Sequence, residues 1–201
     1  SLTQLLLDLC TALTILDCNN NSLASLDVTS CTLLTKLECY NNSLASLDVT
    51  SNPALTYLNC ANNNISTTFN LNNNDQLIYL NCSNNSIPNF SGGASLPSTL
   101  TTIDCGNNPL NNSTPTAPAV NVSLCTGLKT LKVNNSQISD LSCVNLDLNL
   151  LDVTDCSQLT SLDCGQNKLT SLDLSGCTGL TSLDCQGTQG LPGITSLDVS
   201  Q

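Results

Sequence analysis

Leucine returns along this chain at a nearly fixed interval. Segments opening at Leu13, Leu34, Leu55, Leu77, Leu100, Leu128, Leu159 and Leu180 all read L-x-x-[LI]-x-[CV], at spacings of 21, 21, 22, 23, 28, 31 and 21 residues. Within each hexad apolar and polar positions alternate, which predicts a short strand. Leu16 and Cys18 then point inward, and Ile15, Asp17 and Asn19 point outward. A second hexad lies half a unit later, as in "LASLDV" at 23–28 and 44–49, "LTSLDL" at 169–174 and "ITSLDV" at 194–199. Each unit is thus two similar halves of 10 and 11 residues. Asn, Ser, Thr and Asp fill the spaces between leucines, so few or no helices are expected. A repeat of this length marks a solenoid, because a four-stranded propeller blade needs about 40 residues.

The full unit is L-x-x-L-x-C-x-x-N-x-L, seen in Leu13, Leu16, Cys18, Asn21 and Leu23. Its asparagine returns as Asn42, Asn63, Asn85, Asn108 and Asn167, with Ser136 and Thr188 in the two remaining units. This pattern resembles the leucine-rich-repeat family over nearly the whole chain. The doubled L-x-x-L-D form is similar to the short repeats of bacterial surface proteins, those of Bacteroidetes in particular. The resemblance implies one solenoid over residues 1–201, β-rich, with short parallel strands in about 8–9 coils. It implies that Asn21, Asn42, Asn63, Asn85, Asn108 and Asn167 form a structural ladder satisfying backbone groups as the chain leaves each strand. It also implies an extracellular or cell-surface place of work and a protein or glycan partner.

Composition narrows the field. The chain has 4 Lys, no His and a formal net charge of −11. That leaves no basic footprint for nucleic acid or for an acidic membrane surface. No apolar run approaches the ~18 residues a spanning helix needs, and membrane insertion is not expected. No signal peptide is visible. Without histidine, Ser-His and Cys-His nucleophilic chemistry is excluded, and no phosphate-binding glycine loop occurs. The reading is a non-enzymatic chain that needs no cofactor.

Thirteen cysteines invite a disulfide or metal reading, but their spacing follows the repeat. Cys18, Cys39, Cys60, Cys82, Cys105, Cys164 and Cys185 are expected in one inward column, with Val133 as its exception and Cys143 in the column of Val28. A residue that exchanges with Val acts as a small hydrophobe, so buried free thiols are expected. Cys10, Cys31, Cys125, Cys156 and Cys177 lie near turns and are the better disulfide candidates. Acidic columns follow the same logic. Asp17, Glu38, Asn59, Asn81, Asp104, Lys132, Asp163 and Asp184 are expected to share one outward column, and Asp27, Asp48, Asp173 and Asp198 another. Paired carboxylates can serve glycosidase or calcium chemistry, yet here Asp is part of the repeat itself.

Departures from the repeat are where function is sought. All three tyrosines fall in outward columns of adjacent units. Lys36, Glu38, Tyr40, Tyr57, Asn59, Tyr79 and Asn81 are therefore the candidate ligand-binding residues, either as a grip on a partner or as a stack that stabilises the sheet. Two insertions, 88–99 and 109–127, are expected to protrude side by side from one edge. A threonine column, Thr14, Thr35, Thr56, Thr101, Thr160 and Thr181, raises ice binding as an alternative. Both ends of the chain lie inside the pattern without a cap-like segment. That fits a piece of a longer protein, or copies that stack end to end into a filament.

Overall fold

The computed structural model describes residues 1–90, 95–112, 118–187 and 193–198. Among the described residues twelve three-residue strands follow one another: β1 (Ile15–Asp17), β2 (Lys36–Glu38), β3 (Tyr57–Asn59), β4 (Tyr79–Asn81), β5 (Thr102–Asp104), β6 (Thr130–Lys132), β7 (Asp140–Ser142), β8 (Leu150–Asp152), β9 (Ser161–Asp163), β10 (Ser171–Asp173), β11 (Ser182–Asp184) and β12 (Ser196–Asp198). They build a parallel β-solenoid of about eight turns, with no helix among the described residues. Strands β1 to β6 and β8 form one seven-stranded sheet, and β10 pairs with β12 further along the same side. Strands β7, β9 and β11 form a second sheet on the other side.

In the first sheet the central leucines stand in register: Leu16, Leu37, Leu58, Leu80, Ile103, Leu131 and Leu151. Leu37, Leu58, Leu80, Ile103 and Leu131 are fully buried. Each contributes roughly 1.5–3 kcal/mol of burial, and each depends on the coils to either side. After each strand the chain turns through an asparagine in the left-handed region, with φ of 55° at Asn20, 54° at Asn41, Asn62, Asn84 and Asn107, and 51° at Asn135. Asparagine tolerates this conformation far better than a branched residue does. The following asparagine locks the turn. Asn63 Nδ2 donates to the carbonyls of Cys39 (3.1 Å) and Cys60 (3.0 Å), and its Oδ1 accepts the Leu44 amide at 3.0 Å. Asn42, Asn85 and Asn108 repeat this pattern on their own coils. Asn21 bonds its own turn and accepts the Leu2 amide.

The regular order changes between Leu131 and Val153. Two asparagine-type halves stand in succession, one centred on Leu131 and one on Leu141. From there on, the half-units exchange sides. Strand β6 pairs with β8, not with β9, so Lys132 stands opposite Asp152. Strand β9 pairs with β7 on the other side, so Asp163 stands opposite Ser142.

This half-unit shift corrects several expectations. The cysteines form two columns, not one. Cys18, Cys39, Cys60, Cys82 and Cys105 lie on the first side and continue as Val133, Val153 and Leu174, through amide bonds to the next coil such as Cys105 N to Lys132 O and Val133 N to Asp152 O. Cys143, Cys164 and Cys185 make the second column. Asn167 leaves the first ladder as well. It donates to Cys143 O and Cys164 O and accepts the amides of Leu146 and Leu148 on the second side. Asp163 and Asp184 go with it, while Asp173 and Asp198 join the Lys132 and Asp152 column instead of that of Asp27. The physical reason is the near-equivalence of the two halves: either can present an inward leucine, a small inward residue and a turn. Thr188 lies outside the described residues.

The second halves of the early coils, expected to be extended, are bends without strand pairing apart from a bridge between Phe69 and Phe90. Those rings meet edge to face at 6.2 Å. Of the insertions, 91–94 and 113–117 lie outside the described residues. Their bases run side by side, as Phe90 N to Ala119 O (3.2 Å) and Leu96 N to Asn121 O (2.8 Å) show. They spring from the half-turn opposite the tyrosines.

Candidate functional site

The sequence-predicted residues do come together on the outward face of β2, β3 and β4. Lys36, Tyr57 and Tyr79 are register partners in one column, and Glu38, Asn59 and Asn81 in the next. Parallel strands bring equivalent side chains within reach of one another. The two tyrosine rings stack, with centroids 4.4 Å apart and planes 3° from parallel. Lys36 Nζ lies 5.0 Å from the Tyr57 ring centre and 2.5 Å from Glu38 Oε1. The hydrogen bond from Lys36 to Glu38 raises the lysine pKa, so the charge persists through the ordinary pH range. Burial pushes the Tyr57 phenol up to about 12, with Tyr79 and Glu38 acting in the same direction.

Each polar side chain of the patch is partly committed. Asn59 Oδ1 accepts the Ala61 amide at 3.3 Å; Asn81 Oδ1 accepts the Ser83 amide at 3.1 Å and hydroxyl at 2.8 Å. Glu38, one methylene longer than the usual Asp, turns to Lys36 instead. Tyr40 stands one position beyond inward Cys39 and flanks the patch, half-buried. Both faces of Tyr57 are covered, one by Lys36 and one by Tyr79. Tyr57 therefore offers its ring edge and phenol oxygen, while Tyr79 has one face on Tyr57 and stands next to Thr102 on the other side.

The acidic columns are explained by local structure. Asp17, Asp104, Asp152, Asp163 and Asp184 each accept the amide two residues on, and Asp27, Asp48 and Asp173 do the same on Thr29, Thr50 and Ser175. These side chains close the turn that ends each half-unit. The hydroxyl and amide of Thr29 and Thr50 lower the carboxyl pKa of Asp27 and Asp48.

The thiols are unbridged, and eleven of the thirteen are buried. Burial raises Cys60 and Cys164 to about 12 and Cys18 to about 11. Of the five turn cysteines expected as disulfide candidates, Cys10 and Cys31 are free thiols, and the other three have another role. Cys125, Cys156 and Cys177 each point the thiol at a carbonyl of the preceding coil, at 3.3, 3.3 and 3.1 Å. Asn52 and Asn74 fill the equivalent turn position earlier, donating to Val28 O and Val49 O.

The threonine column does not form one array. Thr14, Thr35, Thr56 and Thr101 belong to the first side and Thr160 and Thr181 to the second. Most of their hydroxyls are turned to a carbonyl of the preceding coil, as in Thr35 to Thr14 (2.9 Å) and Thr181 to Thr160 (3.1 Å). A flat set of free hydroxyls, which ice binding needs, is not presented.

Two features escaped the sequence reading, both products of the half-unit shift. One is an ion-pair cluster in which Lys129 and Lys168 both reach Asp147. The other is a cleft of about 410 Å³ where β8 meets β10. Their signal was present in the 31-residue spacing from Leu128 to Leu159, which is one unit and a half, and in "LNLLDV" at 148–153, an uncounted hexad.

A fold with these 21-residue turns and inward leucines is a leucine-rich-repeat solenoid, and the solved structures it resembles are of that class. The functional domain of InlJ from Listeria monocytogenes, which includes a cysteine ladder, is 26% identical with a TM-score of 0.55, covering 98% of this chain and 55% of that one. The leucine-rich-repeat protein LIC12759 of Leptospira interrogans gives 16% identity and a TM-score of 0.57, covering 87% of this chain and 61% of that one. The plant peptide hormone receptor RGFR1, in complex with RGF2, gives 20% identity and a TM-score of 0.54, covering 87% of this chain and 32% of that one. This chain therefore spans less than two thirds of the length of these structures. No family model and no curated protein matches it. The narrower likeness to Bacteroidetes proteins finds no support among these structures. No helix of the described residues is long and apolar enough to cross a membrane.

Proposed function

We propose that this chain is a non-enzymatic binding module that holds a protein partner against the face of β2, β3 and β4, with Lys36, Glu38, Tyr40, Tyr57, Asn59, Tyr79 and Asn81 as the contact. The observation that carries this reading is the stacked Tyr57–Tyr79 pair with Lys36 over it. It sets two stacked tyrosines with their phenol hydroxyls on one face, and tyrosine is among the residues that carry most of the binding energy at protein contacts. The covered faces of Tyr57 favour a protein over a glycan, because a sugar stacks on an open face. The likeness to the InlJ functional domain and the repeat's similarity to bacterial surface proteins support work outside the cell or on its surface. Burial would keep most of the thiols inert there.

Panning a displayed peptide library on the protein tests the reading. Enriched peptides should lose at least about tenfold in affinity for Tyr57→Ala with Tyr79→Ala, while the thermal transition moves little. Binders insensitive to that pair, or binding seen only on a glycan array, would contradict it.

A further inference from the structure

Rungs of backbone hydrogen bonds join neighbouring strands on the first side from β1 through β6 to β8. Between β8 and β10 the rungs stop, although the coils stay tied at both ends of the gap. Lys168 N bonds Leu148 O at 2.8 Å before the strands, and Asp155 N bonds Ser175 O at 2.9 Å after them. The sheet resumes at β10 and β12. The cleft occupies this gap, and its walls include Leu150, Asp152, Thr154, Ser171 and Asp173, with Lys132 at its rim.

Its chemistry is specific to the place. Asp152 hangs from one wall and Asp173 from the other. In each, Oδ1 is engaged by the turn that follows, through Thr154 (2.8 Å to the hydroxyl) and Ser175 (2.6 Å to the hydroxyl). Each leaves a second carboxylate oxygen for an outside donor. Neither carboxylate is in an ion pair among the described residues. Further up the column Glu38 has Lys36, and Asp104 has Lys132 at 3.5 Å, while Asp17 on the first strand is outside these ion pairs too. Leu150, 43% exposed, supplies an apolar wall beside them.

We propose that this cleft is a second contact site, which receives an arginine side chain carried on an extended segment of a protein partner. A guanidinium presents planar donors in a fixed fork and bridges carboxylates on facing walls, which a compact ammonium does not do. The methylene stem lies along Leu150. The open strand edges take donors from the same group or from the peptide that carries it. The site lies well along the sheet from the tyrosines, and it stands or falls separately from the reading of that patch.

The probe is a blocked pentapeptide, acetyl-Gly-Ser-Arg-Ser-Gly-amide, titrated into the labelled protein and followed by amide chemical shifts. Shifts should saturate at Leu150–Thr154 and Ser171–Asp173 and leave β2 to β4 unmoved. Asp152→Asn and Asp173→Asn should each weaken binding at least about tenfold. Both variants keep the turn-closing oxygen, as Asn59 and Asn81 do in the same column, so they remain folded. Asp27→Asn should change nothing. Three outcomes would overturn the proposal: no saturable shift at the cleft, equal binding of the citrulline peptide, or binding unaffected by either variant.

Discussion

The coils before and after Leu131 use the same parts in opposite phase. Before it, the first side carries strand, cysteine and asparagine turn, and the second side carries a bend and a Thr/Ser turn. After it, the first side carries strands β8, β10 and β12 with Val153 and Leu174 inward, and the cysteines pass to the second side beside β7, β9 and β11. The turn on the first side keeps its shape throughout. Its left-handed residue is Asn135, then Asp155 at φ 59°, then Gly176 at φ 76°. The side chain that grips the preceding coil changes from Asn108 to Cys156 and Cys177, while Ser136 between them meets the Cys156 thiol of the coil that follows. What each side requires is local: an inward leucine, a small inward residue, a left-handed turn residue and a donor. Either half-unit satisfies those requirements, so the chain can slip by half a unit. The cost appears as the open seam between β8 and β10.

The largest effect should be alkaline and common to both columns. Burial raises Cys60 and Cys164 from 9.0 to about 12. An unfolded thiol loses its proton near pH 9 while the folded one keeps it. The stabilisation is therefore complete below pH 9 and is lost as pH rises toward 12. Each tenfold difference in proton affinity between the folded and unfolded thiol is worth about 1.4 kcal/mol. Cys60→Val and Cys164→Val should blunt this loss equally, since Val133 and Val153 show that valine fits such a position. Denaturant midpoints between pH 8 and 11 check it, and a loss confined to one column would break the equivalence.

The two ladders come next. Asn63→Ala strands buried carbonyls and the Leu44 amide and should cost about 2–4 kcal/mol. Asn167→Ala, its counterpart after the shift, should cost the same. Ser136→Ala, at the junction, should cost less than about 1 kcal/mol, because its hydroxyl meets only a thiol at 3.4 Å. Equal midpoints for all three in chemical denaturation would erase the distinction between a full ladder position and a junction.

Gly176→Ala should follow at about 1–3 kcal/mol. Its φ is positive, and an added Cβ would fall 2.8 Å from the Asp155 Cα. Gly127→Ala, with nothing within 4 Å, should be within about 0.5 kcal/mol of neutral. A similarly small effect is expected for Asn52→Cys. Asn52 Oδ1 is buried without a donor, and the equivalent positions already hold Cys31, Cys125, Cys156 and Cys177. The lost amide bonds and the removed orphan acceptor should nearly offset, leaving a change under about 1 kcal/mol. A thermal scan checks all three variants.

Much of this was readable from the amino acids. Leucine spacing gave the solenoid, the alternation gave Leu37 and Leu58 their inward places, and the tyrosine columns put Lys36, Tyr57 and Tyr79 together. Side was the property the repeat could not carry. Because "LTSLDC" and "LTSLDL" differ at one inward residue, matching Cys164 to Cys105 by motif alone ignored the extra ten residues between Leu128 and Leu159. Those ten residues place Cys164 on the opposite side. The β8–β10 cleft depends on a missing set of hydrogen bonds, which no residue type announces.

The half-unit shift is the claim on which the cysteine columns, both ladders and the cleft depend. Backbone contacts across neighbouring strands test it directly, in a uniformly labelled sample by nuclear Overhauser spectroscopy. The account predicts contacts linking Leu131 with Leu151 and Leu141 with Leu162, together with a slowly exchanging Val133 amide bonded to Asp152. Contacts linking Leu131 with Leu162 and Val133 with Cys164 would contradict it and restore a single cysteine column.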